Sequence, residues 1–251
     1  MKRLQVMTLF GLGALAGAQP APAQIQGMPV YFNPRGGVGL TFSGDLGRVV
    51  NNRVGATSSA SKPFAYGAGV RLGLPFLSLG AMAAVYDPKV TTQRNEVQYA
   101  GTAALKVFGG PLIPLSVSLQ AGVGYIGLGS GTAATNYLNI PIGVGVALNV
   151  PTPGASIAPW VAARVHVNSV STGGGIGTLS QTQVGYGASG GLNIGTPTGL
   201  GFHVALDWST FGSRPASPIP SLRDRVQRLT AGGGVHYTLK IPGLVPIVPG
   251  M

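Results

Sequence analysis

The residues of this chain that can do acid–base chemistry are few. Its 251 residues hold three histidines and five acids, against sixteen lysines and arginines and no cysteine. His203 and Asp207 stand four residues apart in the stretch GFHVALDW, Gly201 to Trp208. A histidine oriented by a carboxylate can act as a general base in a hydrolase. Histidines that converge on one point can instead hold a metal. The same stretch also reads as one strand, because Phe202, Val204, Leu206 and Trp208 alternate with His203, Ala205 and Asp207. Choosing between these readings requires the elements that carry all three histidines.

The other two histidines lie in the same pattern. In SIAPWVAARVHVN, Ile157, Val161, Ala163, Val165 and Val167 oppose Trp160, Arg164, His166 and Asn168. In RLTAGGGVHYTLK, Leu229, Ala231, Val235, Tyr237 and Leu239 oppose Arg228, Thr230, His236, Thr238 and Lys240. Alternation recurs from about residue 36 to 240, with Val70 and Leu72 against Arg71, and Ala103, Leu105 and Val107 against Lys106. Arg71, Lys106, Arg164, His166, His203, Asp207, Arg228 and His236 therefore share one face with many Gly, Ser, Thr, Asn and Gln residues.

The pattern makes about ten strands of roughly 8–14 residues, where a membrane-crossing strand needs about 9–11. Short connections fall at Pro75-Phe76, 109–114, 150–155 and 195–199. Longer ones fall at 47–63, 87–95, 129–135, 170–181 and 211–225. Short turns on one side and long loops on the other mark an outer-membrane barrel. The expected fold is all-β: a closed, antiparallel, up-and-down transmembrane β-barrel of about ten strands, with eight as the alternative. A soluble lipocalin-like barrel is the competing architecture.

Composition agrees with lipid-facing strands. Only 8% of residues are charged, against roughly 25% in a soluble domain, and the mean hydropathy is +0.34. The start reads as a secretory signal peptide over residues 1–23: Met1-Lys2-Arg3, an apolar run from Leu4 to Ala18, then small residues at Ala21 and Ala23. The expected divisions after it are an N-terminal periplasmic segment at 24–35, the barrel at 36–240 and a Pro-rich tail at 241–251. Without cysteine there is no lipoprotein attachment site, disulfide framework or thiolate chemistry. The net charge of +11 is scattered, which argues against nucleic acid as a partner in a secreted chain. Arg48, Arg53, Lys62, Lys89, Arg94, Arg214, Arg223 and Arg225 fall in the segments read as loops. Basic loops suit a surface rich in lipid phosphates, such as lipopolysaccharide, and equally suit plain solvation.

Aromatic residues sort by height. With the chain starting on the short-turn side, Phe42, Tyr66, Tyr99, Tyr125, Tyr186 and Trp208 fall toward the long-loop ends. Phe76, Phe108, Phe202 and Tyr237 fall toward the short turns. Two such belts match the girdles at membrane interfaces. On this pattern the chain resembles the small outer-membrane β-barrel family, of the OmpA and OmpX kind, over about residues 36–240. Gly234, Tyr237 and Leu239 of GVHYTL look like that family's assembly signal. The resemblance implies a bacterial outer membrane and a barrel-assembly machinery as partner. The chain departs from the family where KIPGLVPIVPGM follows the last strand.

In this frame the histidines and Asp207 point into a lumen. For a rim or lumen hydrolase the supply of acids is poor, with only Asp45, Asp87, Glu96, Asp207 and Asp224, and no Gly-x-Ser-x-Gly, HExxH or paired-carboxylate spacing is present. The favoured reading is a polar ladder in which Asp207 neutralises one of Arg71, Lys106, Arg164 or Arg228, with no metal and no cofactor. Inner-face glycines are read as allowing tight curvature and room for long neighbours. The leading function is a non-enzymatic barrel that stabilises the envelope or displays loops. The alternatives are a narrow porin-like channel favouring anions, an adhesin and the hydrolase. Oligomeric state stays open.

Overall fold

The computed structural model describes residues 25–30, 38–59, 61–90, 93–109, 113–129, 134–174, 177–219 and 222–241. The expected signal peptide at 1–23 and all of the expected tail beyond Ile241 lie outside the described residues. The strands are β1 (Gly39–Val54), β2 (Thr57–Ser58), β3 (Phe64–Gly73), β4 (Leu77–Asp87), β5 (Glu96–Phe108) and β6 (Leu115–Leu128). They continue with β7 (Thr135–Leu148), β8 (Val150–Thr152), β9 (Ala155–Gly174), β10 (Gly177–Gly195), β11 (Leu200–Phe211) and β12 (Val226–Leu239).

Ten of these form a ring in which every neighbour is antiparallel. Its closing seam joins β1 to β12, from Leu40 opposite Leu239 to Val54 opposite Val226. The short β2 and β8 hang on β1 and β9 outside the ring. The expected closed, all-β, up-and-down barrel is thus the observed one, with ten strands and not eight. Closure matters physically: an open edge would leave backbone N–H and C=O groups without partners in lipid, at several kcal/mol each.

Alternation decides which side chain goes where. On β11, Phe202, Val204, Leu206 and Trp208 are exposed on the outer wall, while His203 and Asp207 are each 1% exposed inside. The outer wall is apolar all round, with Val70, Leu79, Leu105, Leu119, Val144, Val165, Val184 and Val235 among its exposed residues. Such a wall needs hydrocarbon beside it. One bulge, between Val49 and Asn51 of β1, shifts the phase: Val50 is exposed, while Val49 and Asn52 are buried.

Three sequence expectations change. Arg48 and Arg53 belong to β1, not to a loop. Most of 170–181 is strand, because β9 and β10 pair up to Gly174 and Gly177. Both stretches overshoot the apolar band, so they lack the greasy period that marks a strand in sequence. Phe42 sits opposite Tyr237 and Val70, at the short-turn end and not with the long-loop belt. It is only the fourth residue of β1, whose far end runs well past it. Tyr66, Tyr99, Tyr125, Tyr186 and Trp208 stand exposed on the outer wall toward the other end, as Phe202 and Tyr237 do near the short turns. Tyr99 faces Tyr125 across β5 and β6, and the Tyr186 and Trp208 rings meet edge-on with centroids 5.9 Å apart.

Candidate functional site

The lumen gathers the polar groups, and glycines decide which of them meet. Asp45 of β1 and His203 of β11 stand on opposite sides of Gly234 in β12. A Cβ at Gly234 would come within 3.0 Å of His203 Nε2. With glycine there, His203 Nε2 reaches Asp45 Oδ1 at 2.7 Å, both side chains being fully buried. Ser43 Oγ donates to Asp45 Oδ2 at 2.7 Å. The His203 and His236 rings stack at 5.6 Å, with their Nδ1 atoms 3.4 Å apart.

Arg164 and Asp207 use the same device. Arg164 of β9 reaches over Gly187 of β10, where a Cβ would lie 2.9 Å from its Nη2. That Nη2 lies 2.6 Å from both Asp207 oxygens. Arg164 Nε donates to His166 Nε2 at 2.7 Å, so that ring nitrogen is an acceptor. His203 and Asp207, four residues apart in one strand, therefore serve different partners. Arg228 is 2% exposed and within electrostatic reach of Asp207, Tyr86 and Tyr137. Its Nε and Nη1 have no hydrogen-bond partner among the described residues. Arg71 and Lys106 stand apart from this set, in the wall of a cavity at the short-turn end.

Residues 25–30 are the largest departure from expectation. They fall in the segment expected at 24–35 on the periplasmic side, yet they lie inside the barrel. Ile25, Met28 and Val30 are 4%, 1% and 2% exposed. Gln98 holds the segment's backbone from both sides: Gln26 N–H donates to Oε1 at 2.7 Å, and Nε2 donates to Gln26 O at 2.8 Å. Val30 N–H donates to Asp207 Oδ2 at 2.9 Å. Ile25 and Met28 pack with Ala65 and Ala84, and Val30 packs with Ala147, Trp160, Ala162 and Ala205. Gly47 makes the room, since a Cβ there would come within 2.7 Å of Met28 Cα. The physical reason is plain: IQGMPV carries no charge, buries well and finds a groove of glycines and alanines. The sequence offers only the lack of charge over residues 25–30, which by itself does not say which way the segment goes.

A second obstruction lies at the long-loop end. The connection between β11 and β12 folds inward, and Ile219 and Leu222 join Tyr86, Ile126, Tyr137 and Val170 in a buried apolar cluster. Arg214 N–H donates to Leu222 O at 2.8 Å, and Gln183 Nε2 donates to Gly212 O, which ties the loop to β10.

Chemically, the acids of the lumen are held by specific partners: Asp45 by His203 and Ser43, Asp207 by Arg164. Both ring nitrogens of His203 are engaged, and Ser43 donates to Asp45 instead of meeting a histidine base. Among the described residues, no three His, Asp or Glu side chains converge where a metal could sit.

No protein-family model and no curated protein sequence matches this chain. Solved structures do. The β domain of the Bordetella autotransporter Brka is similar at a TM-score of 0.51 and 10% identity, over 80% of this chain and 100% of that one. The outer-membrane protease OmpT of Escherichia coli gives 0.43 at 10% identity, over 80% and 97%. The attachment invasion locus protein Ail of Yersinia pestis gives 0.37 at 9% identity, over 81% and 100%. At these identities the likeness is one of fold, and that fold is the outer-membrane β-barrel.

Proposed function

We propose that this protein is an outer-membrane barrel of a Gram-negative-type bacterium whose lumen is closed to solutes, and whose work is to stabilise the envelope and present its loops. One observation carries this reading: the lumen is filled at two heights, by residues 25–30 around Val30, Trp160 and Asp207, and by the cluster around Leu222 and Tyr137. A barrel of eight strands is roughly filled by its own side chains, and one of ten needs such added material. Planar-bilayer recording tests it. The purified protein should give no stable conductance steps, and a steady ohmic conductance would overturn the reading in favour of the channel.

The outer rim suits anionic headgroups. Arg48, Arg53, Lys62, Lys89, Arg94, Arg214, Arg223 and Arg225 are all exposed toward the long-loop end, with Asp87, Glu96 and Asp224 as the acids there. Arg225 also braces the belt, donating to Tyr186 Oη and Thr210 Oγ1 at 3.2 Å. Lipopolysaccharide phosphates are the natural counter-charge at that height. Binding to phosphorylated lipid A should exceed binding to the dephosphorylated form and weaken with salt. Tyr237 and Leu239, exposed on the outer face of β12 at the barrel seam, are positioned for the assembly machinery to engage.

A further inference from the structure

Residues 25–30 lie in the lumen as a bound peptide lies in its groove, and the polar contacts of the wall go to their backbone. Gln26 N–H donates to Gln98 Oε1 at 2.7 Å, and Gln98 Nε2 donates to Gln26 O at 2.8 Å. A neighbouring β-strand would exchange the same two bonds. Asp207 Oδ2 accepts from Val30 N–H at 2.9 Å. The side chain of Gln26 is treated differently: it is 3% exposed, yet neither its Oε1 nor its Nε2 has a hydrogen-bond partner. The clamp reads the main chain at this position and ignores the side chain.

The groove is cut into the wall. A Cβ at Gly47 would lie 2.7 Å from Met28 Cα, and one at Gly232 would lie 2.6 Å from Pro29 Cδ. Ala65 and Ala84 floor a pocket for Ile25 and Met28, and Ala147, Trp160, Ala162 and Ala205 make a second for Val30. One position selects backbone shape: Gly27 has φ +81°, and a Cβ on it would stand 3.1 Å from Ala65 Cβ. These wall residues belong to strands of the closed ring, whose pairing does not involve the segment, so the groove is preformed. We propose that this groove is a binding site for an extended, uncharged peptide of the pattern aliphatic, any residue, Gly, apolar, Pro, aliphatic, and that residues 25–30 are its built-in occupant. The tether sets the competition. A segment on a short linker has an effective concentration of the order of millimolar, so a free peptide of like affinity enters only where the segment is weakened. The site stands on these contacts and not on the closed-lumen reading, so peptide binding and channel recording can fail separately.

The test uses the full chain carrying G27V, which loosens the segment, because a β-branched residue resists positive φ, and leaves the wall unaltered. It is refolded from urea into maltoside micelles with a fluorescein-labelled, end-capped peptide of sequence QIQGMPV. Anisotropy should show saturable one-to-one binding with a dissociation constant below about 100 μM. The unaltered chain, its groove occupied, should bind at least tenfold more weakly. A peptide carrying Gln26→Ala should bind G27V within threefold of the parent peptide, and one carrying Gly27→Ala at least tenfold more weakly. Adding Q98A to G27V should weaken binding at least tenfold. G47V, whose side chain stands in the groove, should release the segment and take up no peptide. The proposal is overturned by a folded G27V that shows no saturable binding, by equal affinity for the glycine and alanine peptides, by unchanged affinity with Q98A, or by peptide uptake in G47V. If G27V lacks the heat-modifiable gel mobility of a folded barrel, the unaltered chain is refolded with about 10 mM unlabelled peptide, enough to rival the tether. Native mass spectrometry should then find a one-to-one complex, and its absence overturns the proposal.

Discussion

Two buried acid contacts, the Asp45–His203 hydrogen bond and the Arg164–Asp207 ion pair, each span an intervening strand across a glycine. Buried charges are costly unless they are paired and hydrogen-bonded, and these groups meet by crossing Gly234 and Gly187. Asp207 carries a double load, holding Arg164 and the Val30 amide. D207A should therefore destabilise the barrel by about 3–5 kcal/mol, the usual cost of leaving a buried partner charge alone. D207L combined with R164M should cost less than D207A, because no charge is then stranded. Urea unfolding in micelles measures both. D45N keeps an acceptor for His203 Nε2 and should be milder than D45A.

Among the elements, the segment 25–30 behaves as an internal plug, and Gly47 is the wall position fitted to it. The three atoms nearest a Cβ built at Gly47 belong to Gly27 and Met28. G47V should therefore dislodge the segment while leaving β1 paired to its neighbours. The expected result is conductance in a planar bilayer where the parent shows none, and faster protease cleavage after Gln26. Unchanged conductance with the segment released would show that the Leu222 cluster closes the lumen alone. A companion variant, L222D, would then be needed to open it.

For the whole molecule, the governing fact is sidedness. Leu206 and Val204 are each 56% exposed on a face that no described residue covers, while the polar residues beside them are sealed inside. Spin labels at Val204 and Val144 should be reached by oxygen and shielded from a water-soluble nickel chelate. The reverse accessibility would mean that water, not acyl chain, bathes the wall. The ring also makes the interior scarce space, so a short apolar segment and one loop occupy it at two heights.

The period of two alone determined strand existence, the outward apolar face and the inward placement of His203, Asp207, Arg164 and Arg228, because side-chain direction in a strand is a local property. It also determined, through turn lengths, that the strands follow one another up and down. Pairing across the ring was not local. His203 stands four residues from Asp207 in sequence, yet its partner is Asp45, brought close only when β12 closes on β1. Segment 25–30 has no alternation and no charge, so nothing in it pointed inward until the closed ring offered a glycine-lined groove of its size. Register and enclosure belong to the tertiary structure, since both depend on residues far apart in sequence meeting around a circle.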